Sequence, residues 1–160
     1  MTDTVEILPL STRAEIGSVN KDARTVDVIF STGAAVDRYD WKSGRTFSET
    51  LSLKPGHVRI DRLNSGASLL DSHSAYSVAS VLGAVVPGSV RLTGGVGTCT
   101  LKFSRRDDVE PFWQDVIDGI LRFVSVGYRV HKFEEVVEPP TRKAVDWEPF
   151  EVSMVPMPAD

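Results

Sequence analysis

The sequence predicts a mainly β fold with few helices: an antiparallel sheet closing into a barrel, with one helix just before a serine-bearing strand. Three observations predict it. Short runs dominated by Val, Ile, Thr and Phe begin at Thr25, turn signals separate them at regular spacing, and a single stretch switches to helical periodicity. Strands are expected at Thr25 to Ser31, Val36 to Tyr39, Thr46 to Leu53, Val58 to Arg62, Ser77 to Val86, Ser89 to Leu92 and Gly97 to Phe103. The turns between them are Ser31-Thr-Gly33, Lys42-Ser-Gly44, Lys54-Pro-Gly56, Asn64-Ser-Gly66, Pro87-Gly88 and Gly94-Gly95.

The helix is expected from a cap at Asp107 or Asp108, because Val109, Phe112, Trp113, Val116, Ile117 and Ile120 then recur on one buried face, with Gly119 at its end. A strand follows from Phe123 to Val130. Val124, Val126, Tyr128 and Val130 share one face, and Phe123, Ser125, Gly127 and Arg129 the other, so Ser125 lies beside a gap left by Gly127. The acidic, proline-containing stretch between Lys132 and Asp146 reads as a mobile loop or a plain linker. A last strand from Phe150 to Pro156 puts Glu151, Ser153 and Val155 on one face. Residues 1–24 are expected to be an N-terminal extension and residues 25–160 one domain.

Composition narrows the function classes. A chain of 160 residues buries about 70% of its unfolded surface, enough for one core without disulfides. With 18 Lys and Arg against 22 Asp and Glu and a net charge of −4, there is no basic footprint for nucleic acid. The N-terminus lacks the cationic start and apolar core of a signal peptide, and no apolar run approaches the ~20 residues that span a bilayer. Cys99 is the only cysteine and sits in an alternating strand, so it reads as a small buried apolar residue compatible with a reducing compartment. Three scattered histidines and one cysteine lack metal-ligand spacing, and no cofactor is implied.

The chemistry-bearing residues are few. Ser125, in Phe123-Val-Ser-Val-Gly-Tyr128, is the candidate nucleophile, and a serine needs a base beside it before it attacks anything. His57, after Lys54-Pro-Gly56, reads as a solvated turn residue with no partner implied, and His131 ends the Ser125 strand, too far along it to reach. His73, in Ser68-Leu-Leu-Asp-Ser-His-Ser74, is left as candidate base. Glu151 is the candidate for orienting it, with Asp146 and Glu148 as rivals. Gly94-Gly-Val-Gly97 lacks the context of a phosphate loop and reads as a turn.

From about Ala35 to Asp160 the chain resembles the prohead, or capsid-maturation, serine proteases of tailed phages, which are similar to the herpesvirus assemblins. The pieces that carry the resemblance are Val36-Asp-Arg-Tyr-Asp40 with Gly44-Arg45, the Arg62 to His73 segment, Asp118-Gly-Ile-Leu121, Val124-Ser-Val-Gly-Tyr128, and Trp147 to Asp160, in the family's order. The resemblance implies an assemblin-like barrel with Ser125 as nucleophile and His73 as general base and acid. Glu151 opens Glu151-Val-Ser-Met154 where assemblins have a second histidine. The arginine pair that serves the oxyanion in assemblins is matched by Ala159 and Asp160, so another donor is implied, such as a backbone N–H near Ala159 or residues beyond the end.

The resemblance further implies a serine endopeptidase acting in the host bacterial cytoplasm inside the assembling prohead. It would cleave scaffold, the N-terminal extension of the major capsid protein, and itself. Residues 25–160 would be its protease domain, cut short at the C-terminus, and a homodimer through Val109 to Leu121 is open to it. The competing expectation is a catalytically inactive β-barrel that escorts capsid subunits or serves as a scaffold component.

Overall fold

The computed structural model describes residues 3–7 and 17–157. Among these residues eleven strands form one sheet: β1 (Asp3–Ile7), β2 (Val19–Asn20), β3 (Thr25–Ser31), β4 (Val36–Asp40), β5 (Arg45–Leu51), β6 (Ser68–Asp71), β7 (Val81–Val85), β8 (Arg91–Thr93), β9 (Val96–Phe103), β10 (Phe123–Val136) and β11 (Thr141–Val155). Two helices, α1 (Asp61–Asn64) and α2 (Glu110–Ile117), interrupt them.

The main path of the sheet runs β1-β10-β11-β6-β7-β9-β3-β2, and among the described residues its two ends do not pair. The expected closure is therefore corrected: the sheet is β-rich and curls into a half-barrel without becoming a barrel. It is not purely antiparallel either. β11 is long enough to meet two further strands, lying parallel to β5 through Thr141 to Ala144 and parallel to β6 through Val152 to Met154.

The core follows from strand alternation. Val26, Val28 and Phe30 of β3 point inward against Cys99, Leu101 and Phe103 of β9, all of them buried. Gly97 lets Phe30 lie flat, since a Cβ there would meet the phenyl ring at 2.6 Å. α2 closes one side by burying Trp113 and Val116, with Trp113 and Phe103 ring centroids 5.2 Å apart. The Arg24 guanidinium lies 5.5 Å over the Trp113 ring and donates to Glu110 Oε2 at 2.6 Å, so a largely buried cation is paired.

On the outer part of the ribbon, Tyr128 Oη donates to buried Glu49 of β5 at 2.5 Å and accepts from Arg38 of β4 at 3.1 Å. This ties β10 to the β4–β5 hairpin.

Several expected boundaries move. Val58 to Arg62 is not a strand. Pro55–His57 forms a 3₁₀ turn, Val58 makes a single bridge to Trp147, and α1 follows. α2 begins with Val109 in the N-cap position and no side-chain cap. Neither Asp107 nor Asp108 caps it, and Asp108 instead pairs with Arg106 at 3.0 Å. Gly119, at φ 71°, ends the helix as expected.

The stretch between Lys132 and Asp146 is not a loop but the two arms of the β10–β11 ribbon. Acidic and basic side chains oppose each other there, Glu134 with Lys143 and Glu135 with Arg142, and such cross-strand pairs favour a strand pairing. Arg142 also lies 4.2 Å over the Phe47 ring and reaches Asp40 at 3.5 Å.

Candidate functional site

One patch of the β10–β11 ladder builds the site. Ser125 pairs with Ser153 across the two strands and Gly127 pairs with Glu151, so these four positions form a square on one face. Where Gly127 leaves a gap, the Glu151 side chain fills it. A Cβ at Gly127 would meet Glu151 Oε1 at 2.3 Å.

His73 comes from the turn after β6. The parallel pairing of β6 with β11 ends at Asp71 opposite Met154, and the next two residues turn sharply through positive φ, 48° at Ser72 and 61° at His73. Neither is glycine, so the turn is strained. Two hydrogen bonds to β11 hold it: Ser72 N–H donates to Met154 O at 2.9 Å, and His73 N–H donates to Ser153 Oγ at 3.0 Å. The imidazole is thereby aimed at the square.

There His73 Nε2 lies 2.8 Å from Ser125 Oγ, while Nδ1 is hydrogen-bonded to Glu151 Oε1. The second carboxylate oxygen, Glu151 Oε2, accepts from Ser153 Oγ–H at 2.8 Å. Ser125 and Ser153 are fully buried and Glu151 nearly so. A buried carboxylate needs its lone pairs engaged, and both oxygens are. In the tautomer with Nδ1–H donating to Glu151, Nε2 is an acceptor facing the Ser125 hydroxyl. The arrangement can take the Ser125 proton on Nε2 while Glu151 stabilises the imidazolium that forms, which is the nucleophile, base and orienter order of acyl-transfer sites.

The structure thus brings Ser125, His73 and Glu151 together and leaves the rivals elsewhere. Asp146 receives two bonds of 2.7 Å from Arg59, which hold its carboxyl below the usual range, and Glu148 lies 3.8 Å from His131. His57, expected without a partner, places Nδ1 2.7 Å from Ser52 Oγ because the 3₁₀ turn folds it back onto the end of β5. Cys99 is buried, and desolvation, with the Asp27 charge behind it, pushes its thiol up to about 12.

Ala159 and Asp160 lie outside the described residues. Among those residues no cluster of His, Cys, Asp and Glu could hold a metal ion. Beside Glu151 an open cleft of about 360 Å³ is walled by Leu70, Tyr76, Val78 and Phe150. Sequence reasoning missed Ser153; its alternation with Glu151 was the available signal, but what the hydroxyl binds depends on the β6 turn.

The chain is 32% identical over 117 residues to the protein named major capsid protein of Halomonas phage phiHAP-1, a match that takes in 70% of this chain and 19% of that relative. It therefore spans about a fifth of the curated relative's length. No family model matches the chain, and no solved structure matches it.

These comparisons correct the family and activity expectations. The phage relative is named for the shell itself and not for a protease, so the prohead-protease assignment, its assemblin kinship and the serine-endopeptidase activity on scaffold and capsid protein are set aside. The short motifs behind that resemblance specify a local arrangement of strands and side chains, and such an arrangement does not by itself fix a reaction.

Proposed function

We propose that the chain is a structural component of a bacteriophage capsid, or of the scaffold on which the shell assembles, working in the cytoplasm of the host bacterium. The observation that supports this reading is the 32% identity, over 117 residues, to a phage major capsid protein. Among the described residues the sheet ends at β1 and β2 without closing, a shape that suits a subunit docking with others. Among the described residues no helix is long and apolar enough to cross a membrane.

The test is co-expression with the remaining shell proteins of the same phage, followed by sedimentation and electron microscopy of the particles. The chain should travel with the shells at a fixed ratio, and its omission should change shell yield or size. Identical shells without it, and none of the chain in the particle fraction, would overturn the reading.

Within this component we propose Ser125 as a nucleophile, His73 as the base that takes its proton and Glu151 as the group that orients His73. The 2.8 Å contact between His73 Nε2 and Ser125 Oγ supports it. The probe is a small fluorophosphonate: Ser125 Oγ bonds to phosphorus, fluoride leaves, and the hydroxyl proton passes to His73. A single phosphonyl adduct on Ser125, lost in Ser125→Ala and His73→Ala, is expected. No adduct on the wild-type chain would sink the assignment.

A further inference from the structure

We propose that Ser153 is a positioning residue of the Ser125, His73 and Glu151 site, fixing the base and its carboxylate with one hydroxyl; the inference rests on the nucleophile reading above. A serine hydroxyl has one proton to give and lone pairs to accept with. At Ser153 both functions are used inside the site. Its oxygen accepts the His73 backbone N–H at 3.0 Å, and its proton goes to Glu151 Oε2 at 2.8 Å.

The two bonds are not independent. An N–H pointing at the Ser153 oxygen leaves the hydroxyl proton to turn toward the carboxylate, so the backbone of His73 sets the direction of the bond that holds Glu151. Glu151 Oε1 in turn holds His73 Nδ1, and a closed ring of hydrogen bonds results: His73 backbone to Ser153, Ser153 to Glu151, Glu151 to the His73 ring.

The strained turn makes the ring necessary. His73 at φ 61° and Ser72 at φ 48° occupy a region costly for residues with a Cβ, and the backbone stays there only where its surroundings over-determine it. Besides the local Ser74 N–H to Asp71 O bond, two bonds to β11 keep it there, one accepted by Ser153 Oγ and the other by the next residue's carbonyl, Met154 O. Ser153 is fully buried, so no water stands ready to replace its hydroxyl. Its place directly across from Ser125 in the ladder puts it at the centre of the square without contact to the His73 ring nitrogens being required.

The experiment compares wild type, Ser153→Ala and Ser153→Cys, the last keeping nearly the same volume with a weak donor. The rate of Ser125 phosphonylation is read by intact mass, and the His73 Nδ1 proton, shifted far downfield when bonded to a carboxylate, by NMR. Thermal unfolding controls for folding. Ser153→Ala is expected to slow labelling about 10- to 100-fold, the size of one lost hydrogen bond to a charged group, and to move or broaden the downfield proton. Ser153→Cys should fall between. If Ser153→Ala does not fold, Ser153→Cys alone decides.

Variants that label at the wild-type rate with the downfield proton in place would overturn the role of Ser153 while leaving the nucleophile intact. A wild-type chain that takes no label, yet shows a downfield proton that Ser153→Ala abolishes, would overturn the nucleophile assignment and keep the positioning role.

Discussion

Gly127→Ala puts the smallest side chain at the most crowded point of the site. The added Cβ would lie 2.3 Å from Glu151 Oε1 and 2.8 Å from both Cδ and Cγ, where ordinary contact begins at 3.4 Å. Glu151 must therefore retreat by about 1 Å or more. The obstacle is a carboxylate held at both ends, by His73 Nδ1 and by Ser153 Oγ, so any retreat breaks one bond or the other. A misplacement of about 1 Å costs on the order of 10²-fold in reactivity, and full loss of the orienting group about 10⁴-fold. Labelling of Ser125 should slow by between these factors. Overpacking at a buried strand position should also cost about 1–3 kcal/mol, or roughly 2–12 °C in Tm for a chain of this size. The assay is the phosphonylation rate by intact mass beside a thermal melt. A Gly127→Ala protein that labels at the wild-type rate would refute the claim that Glu151 occupies the glycine's gap and orients His73 from it.

Three further outcomes follow from the charges and the core. Cys99, its thiol raised to about 12 by burial, should resist iodoacetamide near pH 8.5 in the native protein and react once denaturant opens the chain. By the same shift, stability should fall as pH rises above the unfolded thiol value of about 8.5, because only the unfolded state then loses the proton. Asp146, lowered chiefly by its hydrogen bond from Arg59, stabilises the fold above the unfolded carboxyl value of about 3.9 and loses that contribution as pH falls through its lower native value. Arg59→Ala should accordingly lower Tm slightly at pH 7 and make no difference in strong acid, and an equal loss at both pH values would contradict this.

What could be read from the chain was local. β3 has the expected bounds and β9 nearly so, because Val, Ile and Thr alternating between glycine turns leave little choice, and β4 gains only Asp40. The β10–β11 ribbon was misread because Glu138-Pro-Pro140 looks like a loop, and only the pairing of Glu134 and Glu135 with Lys143 and Arg142 makes the flanks strands. The types and order of Ser125, His73 and Glu151 were visible as well. Their convergence depends on the parallel pairing of β6 with β11 and on the Gly127 to Glu151 register, contacts between distant segments that no local pattern encodes. Sheet closure failed as an expectation for the same reason. The activity drawn from short motifs also failed, although the phage and capsid setting drawn from them agrees with the named relative.

The turn that carries His73 has a consequence for timing. β11 supplies the Glu151 carboxylate, the Ser153 hydroxyl and the Met154 carbonyl that hold the imidazole, and it follows both Ser125 and His73 in the chain. During synthesis the serine and the histidine emerge first, when the left-handed turn has only its local Ser74 N–H to Asp71 O bond and lacks the two bonds from β11. The imidazole gains these partners only where β11 lies between β10 and β6, so the nucleophile geometry proposed above requires the β10-β11-β6 arrangement to be in place.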